Sequence, residues 1–133
     1  MAYRIPNINP IDVGSRVAIG VSLPFNANQV FTQTYTTQEQ IRSNIINYIL
    51  TDKGERIFDP TFGSNIRKSL FENITENLLQ DLEIALNEEL SSYFLNVSFK
   101  NIKIIGNYDE NSILIKIEYS VYNGPTNEIN ITL

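Results

Sequence analysis

Three acidic residues lie within or just after the most distinctive stretch of the chain, which runs from Gly54 to Ser64. Glu55 and Asp59 lie within it, and Glu72 follows it. Two carboxylates flanking the scissile bond are the minimum requirement for hydrolysing a glycosidic bond. These residues therefore define one candidate chemistry, that of a small lysozyme-like glycan hydrolase.

A structural role accounts for the same acids more simply. Acids commonly occupy helix starts and turns, or lie beside basic partners, which here would be Arg56 and Arg67. A sugar cleft is also expected to offer aromatic platforms, and the chain has no Trp. We therefore assign no catalytic residue and keep hydrolysis as an alternative.

Composition excludes several other chemistries. The 133 residues include no Cys, so disulfides and thiolate metal sites are absent, as suits a reducing cytosol. They include no His, which removes the commonest general base and the commonest metal ligand. We expect a protein that is not an enzyme and has no metal, cofactor or small-molecule substrate.

The charge pattern bears on the partners. The formal net charge is −5, and the 10 basic residues are scattered rather than clustered. Binding to nucleic acid needs a basic stripe that neutralises phosphates, so it is not expected. No apolar run approaches membrane-spanning length, and the first residues lack the apolar stretch of a signal peptide. Neither membrane association nor export by a standard route is expected.

The densest run of special residue types extends from Gly54 to Ser64. Pro60 fixes its own φ, Gly63 can supply a positive φ, and aromatic residues straddle them. The run lacks the glycine spacing and the Lys that a phosphate loop requires. It predicts a rigid structural turn that leads into a helix. The predicted turn residues are Gly54, Glu55, Arg56, Phe58, Pro60, Phe62 and Gly63.

Hydrophobic periodicity predicts a helix on each side of this turn. Before it, Thr36 or Thr37 caps a helix that is expected to stop near Gly54. After it, Ser64 is the expected cap of a shorter helix that ends near Asn73. Its expected buried side comprises Ile66, Leu70 and Phe71.

A third and longest helix follows, with Thr75 as its expected cap and an amphipathic stripe that continues to Tyr93. From Val97 the period becomes that of a strand, and its phase slips around Lys100, which predicts a β-bulge. A second strand at 113–121 and a short third strand after residue 125 complete an antiparallel meander. The fold class is α+β, with three helices followed by a three-stranded antiparallel meander.

The predicted domain spans 36–133, with a helical layer at 36–94 and the meander at 97–133. Residues 1–35 show no persistent period and are interpreted as an extended N-terminal arm. The aromatic residues of the arm, among them Phe25 and Phe31, make it too apolar for a flexible linker. They either pack on the chain's own body or dock on a partner, and both alternatives stay open here.

The run from Gly54 to Ser64, continued by 70–73, resembles the baseplate wedge subunits of contractile-tailed bacteriophages, the gene-25-product-like or gpW-like family, with relatives in type VI secretion. A weaker resemblance covers 41–133. It implies a structural subunit that links the inner baseplate to the tail sheath and templates the first sheath ring. The implied partners are the tail sheath protein and other wedge proteins, with tail tube or hub proteins as further candidates. The implied location is the virion tail baseplate, assembled in the host bacterial cytoplasm.

The chain departs from this family between the long helix and the first strand. The family typically has a Glu-Pro-Arg triplet there, which contacts neighbouring wedge proteins. Here the positions are Phe94, Leu95 and Asn96, preceded by Tyr93. Either an apolar contact replaces the charged one, or Phe94 and Leu95 simply complete the core.

The expected mechanism is strand addition at an open sheet edge. The last strand has no Lys, no internal Pro and one acid at its start, so it is poorly protected, although the opposite edge is also a candidate. A generic cytosolic adaptor is the second alternative function. The predicted partner-binding residues are Glu128, Ile129, Asn130, Ile131, Thr132 and Leu133 in the last strand, Tyr93, Phe94, Leu95 and Asn96 at the junction, and Phe25 and Phe31 in the arm.

Overall fold

The computed structural model describes residue 12 and residues 17–23 and 31–133. Its elements in chain order are β1 (Gly20–Val21), β2 (Gln33–Thr34), α1 (Thr37–Leu50), α2 (Ile66–Ser69), α3 (Glu76–Tyr93), β3 (Val97–Asn107), β4 (Ser112–Val121) and β5 (Thr126–Thr132). A mixed fold with, in the described ranges, three helices and a three-stranded antiparallel sheet is thus confirmed. No helix of the described part is long and apolar enough to cross a membrane.

The first helix begins at the predicted capping box. The Thr36 side chain accepts a hydrogen bond from the Glu39 N–H at 3.3 Å, and the Glu39 carboxylate accepts one from the Thr36 N–H at 3.4 Å. α1 ends at Leu50, before the predicted stop at Gly54, because Thr51 leaves the helix in an extended conformation. The hydroxyl of Thr51 donates to the Asn47 carbonyl at 2.6 Å.

The second helix is shorter than predicted, with 4 residues, and Ser64 does not cap it. Ser64 is 1% exposed, and its hydroxyl donates to the Ile49 carbonyl at 2.8 Å, so the side chain serves the core instead. Ile66 is buried, Leu70 is half-buried, and Phe71 is 93% exposed. The prediction for Phe71 is therefore wrong, because the chain has left the helix before it.

The third helix begins as predicted, with the Thr75 side chain accepting from the Leu78 N–H at 3.2 Å. It packs along β3 and buries Leu79, Leu86 and Leu90. Every buried side chain in that stripe contributes to one continuous core with the sheet.

The sheet has the order β3-β4-β5, with β4 at its centre. The predicted bulge is confirmed, because the register shifts between Phe99 and Asn101 and leaves Lys100 unpaired. One face of the sheet meets the helices, and its buried residues are Val97, Ile104, Ile113, Ile115, Ile117, Tyr119, Val121, Ile129 and Ile131.

The segment before α1 contains secondary structure that the sequence did not predict. β1 and β2 pair antiparallel, with Gly20 opposite Thr34. The Leu23 N–H donates to the Ser43 hydroxyl at 3.2 Å, and the Thr34 hydroxyl donates to the Gln40 side chain at 2.6 Å. The expectation of no element before residue 36 is corrected accordingly, since strands of two residues are too short to produce a detectable period.

Two core tyrosines have perturbed acidities. Burial, reinforced by the nearby Glu89 carboxylate, raises the pKa of Tyr48 above its ordinary value of 10.0. Burial also raises the pKa of Tyr119, against an opposing effect of Arg42. Well below pH 10.0 both phenols are protonated whether the chain is folded or unfolded. As the pH rises further, the unfolded chain ionises first, so stability is lost.

We predict that Tyr48→Phe will reduce the loss of stability above about pH 10, because the ring contacts remain and one raised pKa disappears. Urea unfolding measured at a series of alkaline pH values checks this. Tyr108→Phe, which alters a side chain that is 57% exposed, is the matched control. An alkaline loss as steep in Tyr48→Phe as in the parent protein would contradict the prediction.

Candidate functional site

The predicted turn folds back onto the end of α1. The Gly54 N–H donates to the Pro60 carbonyl at 2.9 Å, and the Ser64 N–H donates to the Thr51 carbonyl at 2.9 Å. Gly63 has a φ of +111°, in the left-handed region that favours glycine. A Cβ on Gly63 would lie 2.4 Å from the Thr51 carbonyl oxygen, so only glycine permits this approach.

Two acids of the candidate hydrolase chemistry form hydrogen bonds within this turn. The Glu55 carboxylate accepts from the Asp52 N–H at 3.0 Å, and the Asp59 carboxylate accepts from the Thr61 hydroxyl at 2.9 Å. Glu72 is exposed in the segment after α2. Both hydrogen bonds fit the structural interpretation of Glu55 and Asp59. In the described ranges, no three His, Cys, Asp or Glu residues group as metal ligands would.

A chain of ring contacts connects the turn to the sheet, and we call it the aromatic column. Phe62 is 5.0 Å from Tyr48 and 5.3 Å from Tyr93, measured between ring centroids. The Arg56 guanidinium lies 3.7 Å from the Phe62 ring centroid, in a cation–π contact. The members of the aromatic column are Tyr48, Phe62, Tyr93, Phe94, Phe99 and Tyr119. The turn, α1, the end of α3 and the sheet are therefore held as one unit.

The junction between α3 and β3 brings four predicted partner-binding residues together. Tyr93, Phe94, Leu95 and Asn96 line a groove of about 500 Å³ whose other side includes residues of α1. Phe94 is half-buried in the aromatic column, whereas Leu95 is 85% exposed. Phe94 therefore fits the alternative that the junction completes the core, whereas the exposed Leu95 is available for an apolar contact. A partner-binding role remains a prediction.

The backbone of β5 divides into groups that face β4 and groups that face away. Ile113 and Leu133 exchange N–H to carbonyl hydrogen bonds of 2.9 Å in both directions. Antiparallel pairing alternates along a strand, so Ile129 and Ile131 also bond to β4. The backbone groups of the intervening residues point away from the sheet. These residues are Glu128, Asn130 and Thr132.

The two edges of the sheet differ. On β3, the outward N–H of Ile104 donates to the Glu83 carboxylate of α3 at 2.7 Å, and α3 packs along the strand. On the other side, β4 is the one extensive neighbour of β5 among the described elements. Among the residues that the structure describes, the β5 edge is consequently the open one.

Sequence reasoning missed Glu83, whose contact distinguishes the edges. The sequence carried no signal for this contact, because Glu83 stands among other acids on α3 and contacts a residue 21 positions away.

Phe58, predicted as a turn residue, points fully into solvent. Of the predicted arm contacts, Phe31 is 67% exposed, and Phe25 lies outside the described residues.

Comparison with known proteins finds one similar curated protein and two solved structures that share this fold. No protein-family model matches the chain. The chain is similar to baseplate wedge protein gp25 of Enterobacteria phage T4, with 29% identity over 85 residues. The match covers 64% of this chain and 64% of the T4 protein, which is less than two thirds of either.

Two solved structures share the fold. One is a protein of Geobacter sulfurreducens provisionally described as a tail lysozyme, with a TM-score of 0.67 and 24% identity over 75% of this chain and 92% of that chain. The other is a chain of the anti-feeding prophage baseplate, with a TM-score of 0.60 and 23% identity over 77% of this chain and 84% of that chain. Together with the T4 match, they confirm the resemblance to gp25-like baseplate wedge proteins.

We predict that Gly63→Ala will destabilise the protein by at least about 2 kcal/mol, because it combines backbone strain with a clash against the Thr51 carbonyl. Gly54→Ala is the matched control. Gly54 also has a positive φ, +88°, but a Cβ there meets nothing within 4 Å, so we expect a loss of about 1 kcal/mol. Equal losses in urea unfolding would show that the close approach at Gly63 contributes nothing beyond its φ.

Proposed function

We propose that this chain is a structural subunit of a contractile-tail baseplate that links the inner baseplate to the tail sheath. The proposal extends the similarity to gp25-like wedge proteins with one observation, the open edge of β5. A strand edge with unpaired N–H and carbonyl groups invites pairing with another chain. At the opposite edge of the sheet, which is β3, α3 and Glu83 obstruct the same kind of pairing.

The mechanism is β-strand addition. An extended segment of the first sheath ring pairs with the outward backbone groups of Glu128, Asn130 and Thr132. The side chains of Ile129 and Ile131 keep their places in the core, so the sheet accepts a new strand without rearrangement. The subunit then acts as a template, because the pairing holds the added strand beside β5.

Contacts with other wedge proteins are assigned to the groove at the α3–β3 junction. Leu95 projects into solvent there, beside Phe94, which the aromatic column holds in place. An exposed apolar side chain on a rigid support suits a protein–protein contact. The accompanying location is the tail baseplate of the virion, and no catalytic step is involved.

Glycan hydrolysis stays as a second candidate because of one likeness, that to the Geobacter protein provisionally described as a tail lysozyme. Incubation of the purified chain with purified peptidoglycan tests it. Release of soluble glycan fragments, abolished in a Glu55→Gln variant that still folds, would establish hydrolysis and contradict a purely structural role.

We predict that Asn130→Pro will leave the subunit folded but prevent sheath assembly. The Asn130 N–H points away from β4, so proline removes a donor from the open edge and none from the ladder. Adding Ile131→Lys, an otherwise obvious second change, is unsuitable because Ile131 is 9% exposed and the charge would enter the core. The variant is supplied to a phage that lacks its own copy of this subunit, and the resulting tails are imaged by electron microscopy.

Asn130→Thr, which keeps the N–H, is the matched control and should give normally sheathed tails. Asn130→Pro should give baseplates with bare tubes, while its circular dichroism and melting temperature remain close to those of Asn130→Thr. Normally sheathed tails in Asn130→Pro would rule out strand addition at this edge.

A further inference from the structure

The outer face of the sheet carries its charges in rows that run across the strands. The register places Lys103 opposite Lys116, and Glu118 opposite Glu128. All four side chains are exposed. The basic row ends on β5 at Asn130, and the neighbouring acidic row ends there at Glu128. At the open edge, the basic row therefore ends with an uncharged amide, and the acidic row ends with a carboxylate.

Among the described residues, the acidic row of Glu118 and Glu128 has no ion-pair partner within 4.0 Å. Like charges directly opposite one another on a sheet are destabilising. Glu118 and Glu128 also form a non-hydrogen-bonded pair, the position where opposed side chains come closest. In the described ranges, neither glutamate has an ion pair within 4.0 Å, and the bulge residue Lys100 donates to the Thr126 hydroxyl instead. A basic group from outside the chain would relieve this repulsion.

A strand added to β5 also faces a problem of register. Alternation between inward apolar and outward polar residues excludes a slip of one residue, because the faces would be exchanged. A slip of two residues keeps both faces and passes this test. Only a feature that differs between successive outward positions can prevent it, and Glu128 and Asn130 are two such positions.

We propose that the partner strand carries a basic side chain opposite Glu128 and that this charge pair fixes its register on β5. The inference rests on the proposed strand addition and specifies its partner. The partner segment is extended, has apolar residues on the face that it shares with Ile129 and Ile131, and has Lys or Arg at one outward position. A two-residue slip would move that charge opposite Asn130, at the end of the lysine row.

The test adds a defined strand to the full chain. A short loop containing Asn-Gly after Leu133 is followed by seven residues, matching the 7 residues of β5, that alternate Thr and Val. When the first added residue pairs with Thr132, the fifth lies opposite Glu128 and the third lies opposite Asn130. Three versions carry Lys at the fifth position, Glu at the fifth position, or Lys at the third position. The tether gives the added strand a high effective concentration.

Two measurements are made on each version: amide hydrogen exchange at Asn130, and the melting temperature. When Lys is fifth, we expect the amide of Asn130 to exchange more slowly than in the chain without an added strand. We also expect a melting temperature about 1–5 °C above those of the other two versions. The difference should shrink in about 1 M salt, since the pair is exposed. In a Glu128→Lys background, the version with Glu fifth should become the most stable.

Slower exchange at Asn130 with equal melting temperatures in all three versions would overturn the charge-determined register and leave strand addition at β5 intact. Unchanged exchange at Asn130 in every version would overturn both the register and the open-edge proposal. A preference for Lys that persists after Glu128→Lys would also overturn the charge pair.

Discussion

The close approach of Gly63 to the Thr51 carbonyl is the constraint on which the rest of the arrangement depends. Without a Cβ, Gly63 lets the turn close against the end of α1, where Ser64 bonds to both Thr51 and Ile49. This closure places Phe62 against Tyr48, and the aromatic column carries the constraint to the end of α3 and into the sheet. A local backbone requirement thus determines where the helical layer meets the strands.

The position of α3 then decides which sheet edge is available. Once the aromatic column fixes the C-terminal end of α3, the helix lies along β3 and brings Glu83 to the outward N–H of Ile104. β5 receives no comparable cover among the described elements. Within the described part of the chain, a three-stranded sheet that would otherwise have two equivalent edges thus has one open edge. Such asymmetry fits the proposed strand addition at β5.

The sequence predicted the features that depend on neighbouring residues. The caps at Thr36 and Thr75, the bulge at Lys100 and the order of the strands all follow from contacts or periods within a few positions. Features that depend on distant residues were missed or misassigned. Ser64 resembled a helix cap but serves a carbonyl 15 positions earlier, and Glu83 had no distinguishing signal before the helix was placed on the strand. The tertiary structure was therefore needed to decide which of the two sheet edges is open, whereas the residues of β5 were already predicted from the sequence.

The most direct test of the open-edge account is a high-resolution image reconstruction of an assembled baseplate with its first sheath ring. The account predicts an extended sheath segment beside β5, with backbone hydrogen bonds of about 2.9 Å to Glu128, Asn130 and Thr132. A fully sheathed tail in which the β5 edge faces solvent, with the sheath bound to another surface, would contradict it.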